Sequence, residues 1–186
     1  MKQFTKHTIE SAPEESKELL KYGEKKYGML PNLFRYMAGA PAALESYVDV
    51  FNIFSKTSFT AGEQHLILLA ISVVNHCDYC TAAHTRAAKA NGIPSSVLNA
   101  VRKQKELEDT RWNILVKTAQ KLTVTRGNIE TEDLELFYNA GFSPENVMEI
   151  IVGISLKTIG NYINHVTENT INEVLEPFAV GKEIED

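Results

Sequence analysis

The 186-residue sequence predicts an all-α fold. Three observations carry that prediction. Apolar residues recur at three- and four-residue spacing in one segment after another. Helix start and stop signals separate those segments. No stretch sustains the apolar–polar alternation of a strand.

The elements follow in order. Ser11 and Glu14 have capping-box spacing and Pro13 falls in the first turn, so a helix should run to about Tyr27 and stop at Gly28. Pro31 opens a short helix over Asn32–Met37, ended by Gly39. Pro41 opens a third, with Leu44, Tyr47, Val48, Phe51 and Phe54 on one face. Thr60 and Glu63 repeat the capping-box spacing and open a fourth helix, to about Asn75. A fifth begins near Cys77 and ends at Asn91-Gly92. A short helix over residues 96–103 and a charged connector over 104–109 come next. Trp112, Leu115, Val116, Ala119 and Leu122 mark an amphipathic helix that ends at Gly127. Thr131 should cap a short helix ended by Gly141. Ser143-Pro144 opens the last long helix, where Gly153 and Gly160 read as points of close helix contact. Residues 1–58 are expected to be a helical extension packed on the core, 59–180 the core, and 181–186 an acidic, frayed tail.

Composition narrows the function. With 19 Lys and Arg against 24 Asp and Glu, the net charge is −5. That argues against nucleic-acid binding, which needs clustered cations. The longest apolar run, residues 66–74, is interrupted by Ser72 and falls far short of the ~20 residues of a membrane span. The sequence Met-Lys-Gln-Phe-Thr-Lys-His-Thr has no apolar h-region, so the expectation is a cytoplasmic protein with reduced thiols.

The two cysteines, Cys77 and Cys80, form a C-x-x-C pair followed by His84. On a helix starting near Cys77 these three residues line one stripe. Unpaired N–H groups in the first turn favour a thiolate, and His84 is placed to exchange a proton with Cys80. Asp78 works against the thiolate. Such a pair can reduce a peroxide or disulfide in two steps. One thiolate attacks, and the second cysteine closes a disulfide that an outside dithiol must reopen. The rival is zinc held by Cys77, Cys80 and His84, with Glu63 or His76 as a fourth ligand, in a binding or assembly module. The sequence has no second ligand pair, which favours redox chemistry. His76 is expected to help end the fourth helix, and Tyr79 to pack at a pocket mouth. Asn161 and His165, one turn apart, read as a hydrogen-bonded packing pair.

Residues 60–84, from Thr60-Ala-Gly-Glu63 to Asn75-His-Cys77-Asp-Tyr-Cys80-Thr-Ala-Ala-His84, resemble the core motif of the AhpD-like / carboxymuconolactone decarboxylase superfamily. Asn161-Tyr-Ile-Asn-His165 is similar to a subfamily signature. The resemblance implies an all-helical subunit assembled into trimers or hexamers. It also implies reduction of organic hydroperoxides by a redox-active Cys77–Cys80 disulfide, with an external dithiol or dithiol protein as reductant and no other cofactor. Cys80 would attack and Cys77 resolve, with His84 and Glu63 as proton relay. The helix end alone would instead favour Cys77 as nucleophile. His65 stands where relatives commonly carry the relay acid, so it is an alternative relay. The decarboxylase branch generally lacks the cysteine pair, which counts against lactone decarboxylation; a non-redox lyase or isomerase on such a scaffold is the further alternative.

Overall fold

The computed structural model describes residues 3–185. Its helices are α1 (Glu14–Tyr27), α2 (Asn32–Met37), α3 (Pro41–Phe54), α4 (Ala61–Val74), α5 (Asp78–Ala90), α6 (Ser95–Arg102), α7 (Thr110–Val124), α8 (Thr131–Asn139) and α9 (Pro144–Val166). A 3₁₀ turn, Glu173–Phe178, follows. There is no strand among the described residues, so the all-α expectation holds.

Helix α4 is the centre of the molecule. It packs against α5, α6, α7 and α9. Its apolar residues run round the whole cylinder, and Leu66 to Ile71 are all buried. A helix apolar on every side must be enclosed on every side. It starts on the predicted capping box: Thr60 accepts from the Glu63 N–H while Glu63 accepts from the Thr60 N–H. It ends on a Schellman motif, with the Cys77 N–H on the Ser72 carbonyl and the His76 N–H on the Val73 carbonyl. His76 supplies the left-handed residue, φ 55°, a conformation usually left to glycine or asparagine. The chain then reverses at once into α5, whose N-cap is Cys77.

The last long helix, α9, crosses α4 and lies against α3. A Cβ on Gly153 would come within 2.9 Å of the Phe54 ring, and one on Gly160 within 2.9 Å of the Tyr47 ring. The glycines are therefore contact points between α9 and α3, as the sequence suggests.

Three local expectations are corrected. Ser11 does not cap α1. Its hydroxyl accepts from the Thr8 N–H in a preceding turn, and Pro13 takes the N-cap position. Thr131 is the first residue of α8 and not its cap. The tail is not frayed as far as it is described: Ile184 is buried, Asn99 bonds its N–H and carbonyl, and Ser95 donates to the Glu185 carbonyl. Asp186, like Met1 and Lys2, lies outside the described residues. No helix among the described residues is long and apolar enough to cross a membrane.

Candidate active site

The α4–α5 turn brings both cysteines to the inner face of α5, and α9 closes over them. Cys77 and Cys80 are buried free thiols, 3.7 Å apart. Asp78 stays on the exposed side. Cys80, but not Cys77, lines a cavity of 110 Å³ walled by Leu33, Phe34, Tyr47, Phe51 and Tyr79, with Arg86 also on its lining. Tyr79 is held there by its hydroxyl on Asn172 Oδ1, at 2.8 Å. The 3₁₀ turn, which has no clear signal in the sequence, contributes Leu175.

Beside Cys80 stands a fully buried lysine. Lys157 of α9 is 0% exposed; its Nζ lies 3.3 Å from Cys80 Sγ and 2.8 Å from His84 Nε2. Asn164, two turns further along α9, donates to Cys80 Sγ at 3.2 Å and reaches Cys77 Sγ at 3.5 Å. A buried ammonium is costly unless a partner of opposite charge faces it, and the Cys80 sulfur is placed to be that partner. The Cys77 thiol donating toward it, then the Lys157 charge, bring the Cys80 pKa down to about 6 against the pull of burial. Cys77 is pushed the other way, by hydrogen bonding to Cys80 and by burial. The two cysteines are thus shifted in opposite directions, Cys80 toward the thiolate and Cys77 toward the thiol.

The histidines form a chain behind the lysine. Because Lys157 donates to His84 Nε2, the His84 proton sits on Nδ1. That Nδ1 faces His65 Nδ1 at 3.4 Å. Burial, with Lys157 nearby, holds His84 neutral well below the usual histidine range, and the same causes bring His65 to about 4. His65 also lines the cavity. A continuous path therefore runs from Lys157 through His84 to His65.

Of the residues singled out in the sequence, the structure brings together Cys77, Cys80, His84 and His65, and leaves Glu63 apart. The Glu63 carboxylate bonds the Thr60 N–H and hydroxyl and an Arg111 guanidinium, with no hydrogen bond to a histidine or cysteine among the described residues. Burial would raise its pKa, but Arg111 and the cap keep it below the usual carboxylate value. We expect Glu63→Ala to cost about 1 kcal/mol of stability, as loss of a cap does, and to leave Cys80 reactivity unchanged. Denaturant unfolding and thiol alkylation rates check the two halves separately. The expected Asn161–His165 pair does not form: His165 is exposed, and Asn161 Oδ1 accepts from Asn75 Nδ2 at 2.9 Å. The zinc reading finds no support in the donor set. Among the described residues no three His, Cys, Asp or Glu side chains converge for a metal, and His84 presents Nε2 to a lysine.

The Carboxymuconolactone decarboxylase family model matches residues 41–107, which span α3 to α6 and include the C-x-x-C-x-x-x-H turn. The match covers about a third of the chain, and over those residues the chain is similar to the AhpD-like / carboxymuconolactone decarboxylase superfamily. Solved structures agree on the fold. The alkylhydroperoxidase AhpD core protein of Ralstonia eutropha JMP134, an uncharacterized peroxidase-related protein, superposes with a TM-score of 0.82 at 18% identity over 95% of this chain and 97% of its own. A peroxidase-related protein of Silicibacter sp. TM1040 gives 0.76 at 21% identity over 98% and 97%. The debrominase Bmp8, in a Cys-to-Ala form with 2,3,4-tribromopyrrole, gives 0.80 at 15% identity over 96% of each chain. No curated protein sequence matches the chain. Lys157, Asn161 and Asn164 lie beyond the family match, as do α1 and α2.

Proposed function

We propose that this protein is a thiol-dependent peroxidase of the AhpD-like kind that reduces organic hydroperoxides through Cys80 and Cys77. The observation that carries the reading is the pocket-lining Cys80, paired with buried Lys157 and held as thiolate at neutral pH. The Cys80 sulfur attacks the terminal peroxide oxygen. The O–O bond breaks, sulfur is oxidised by two electrons, and the alkoxide leaves as the alcohol after taking a proton. The Cys77 thiol then displaces the oxygen as water and closes the disulfide. An external dithiol or dithiol protein exchanges with that disulfide and leaves oxidised itself. The ring-lined cavity suits an apolar organic hydroperoxide. No further cofactor enters the cycle.

The His84–His65 pair relays the proton in this reading, and Glu63 holds the start of α4. A cytoplasmic, reducing setting fits the free thiols. A homo-oligomer, trimer or hexamer, would cover the exposed apolar row Met148, Ile151, Tyr162 and Val166 on α9.

The test is a thiol count on the reduced protein. One equivalent of cumene hydroperoxide should remove both thiols and yield cumyl alcohol. Unchanged thiols would overturn the reading. The cavity's aromatic walls favour one second reading: attack by the same thiolate on a halogenated heteroaromatic ring, the class of molecule seen in the debrominase complex. Release of bromide with no consumption of hydroperoxide would select it. Turnover of a lactone substrate that survives Cys80→Ser would select the lyase alternative.

A further inference from the structure

The deep end of the site contains a hydrogen-bond donor that nothing answers. Asn161 is 0% exposed and lies on α9 between Lys157 and Asn164. Its Oδ1 is fixed by the Asn75 amide, which orients the side chain and leaves Nδ2 as the other end. Nδ2 is buried and has no hydrogen-bond partner among the described residues. Folded proteins rarely leave such a group unmet, because its lost hydration is not repaid.

Its surroundings say what it waits for. Lys157 Nζ and Asn164 Nδ2 reach Cys80 Sγ directly, at 3.3 and 3.2 Å. Asn161 stands between them on the same stripe of α9, near enough to add the smallest of the influences that lower the Cys80 pKa. Even so, Nδ2 stops short of a hydrogen bond to the sulfur. An unmet donor on the stripe that carries two donors to the sulfur is answered once that sulfur gains an atom able to accept from it.

We propose that Lys157, Asn161 and Asn164 form a seat for the oxygen atom that Cys80 takes from its substrate, with Asn161 Nδ2 as the donor reserved for it. The proposal rests on the peroxidase reading. When Cys80 thiolate attacks a hydroperoxide, an S–O bond forms and the O–O bond breaks. The hydroperoxide's own proton ends on the departing oxygen, so the products are the alcohol and a Cys80 sulfenate. Negative charge then sits on an oxygen where the thiolate had sulfur alone. A donor placed for that oxygen is stronger in the transition state than in the ground state, which is the condition for acceleration. Asn75 is a positioning residue, since it keeps the Asn161 amide from turning over.

The experiment compares two reactions of the reduced full-length protein, well above the Cys80 pKa. Oxidation by cumene hydroperoxide delivers an oxygen, whereas alkylation by iodoacetamide needs the same thiolate but delivers none. Asn161→Ala should slow oxidation at least about tenfold, as loss of an oxyanion donor does, and change alkylation far less. Asn75→Ala should lower the ratio of the two rates in the same direction by a smaller factor, and it keeps the test available if Asn161→Ala does not fold. Equal loss in both reactions would assign Asn161 to thiolate stabilisation or to structure and overturn the proposal. An unchanged ratio in both variants would overturn it too, leaving a bound water as the partner of Nδ2. A wild-type Cys80 that is alkylated but never oxidised would remove the peroxidase reading and the proposal with it, an outcome distinct from the first two.

Discussion

Lys157→Met is expected to move the pH at which Cys80 becomes reactive. In the wild type the Cys80 thiol loses its proton as the pH rises through about 6. Reactivity should therefore climb through that pH and then level off. His84 and His65 are held neutral, His65 down to about 4, so neither adds a second inflection between mildly acid and neutral pH. Methionine fills the space of the lysine stem but removes the charge 3.3 Å from the sulfur. The hydrogen bond from Cys77, the larger cause of the low pKa, remains. The midpoint should rise, and alkylation and hydroperoxide consumption at slightly acid pH should fall about tenfold for each pH step that it moves. Thiolate absorbance and alkylation rate, followed against pH, measure this directly. An unmoved midpoint would mean that Lys157 does not hold the thiolate.

The second large effect separates the cysteines. Cys80→Ser should abolish hydroperoxide consumption, because the remaining thiol has a raised pKa and does not line the cavity. Cys77→Ser should still react once. It would stop at a Cys80 sulfenic acid, detectable by mass spectrometry as one added oxygen, and excess hydroperoxide would carry it on to the sulfinic acid. Rapid consumption by Cys80→Ser would transfer the nucleophile to Cys77, as the position of the helix end alone suggests.

The sequence makes much of this legible because the signals are local. Thr60 and Glu63 mark the start of α4 within four residues, and Cys77, Cys80 and His84 mark a stripe on α5 within eight. Their partners are another matter. Lys157 and Asn164 lie 77 and 84 residues from Cys80 in the chain, so no spacing rule connects them. A weak signal does exist. Lys157 follows Gly153 by four and precedes Gly160 by three, on the stripe where those glycines admit α3. A lysine on a buried stripe needs an anion, and the only question is which. Glu63 misleads for the opposite reason. Its capping role is fully satisfied locally, and Arg111, 48 residues away, takes the rest of its carboxylate. The 3₁₀ turn is set by tertiary bonds such as Asn172 to the Leu30 carbonyl, and not by any periodicity.

The placing of Cys80 on the cavity wall, with Cys77 off it, has a kinetic consequence. Of the two cysteines only Cys80 lines the cavity, and Cys77 is buried at 1% exposure. On the proposed cycle the peroxide and the reducing dithiol therefore address the same cavity-lining sulfur, one after the other. The two half-reactions must then alternate, giving parallel lines in double-reciprocal plots. Each reactant, at high concentration, occupies the form of the enzyme meant for the other and slows the turnover it was meant to feed.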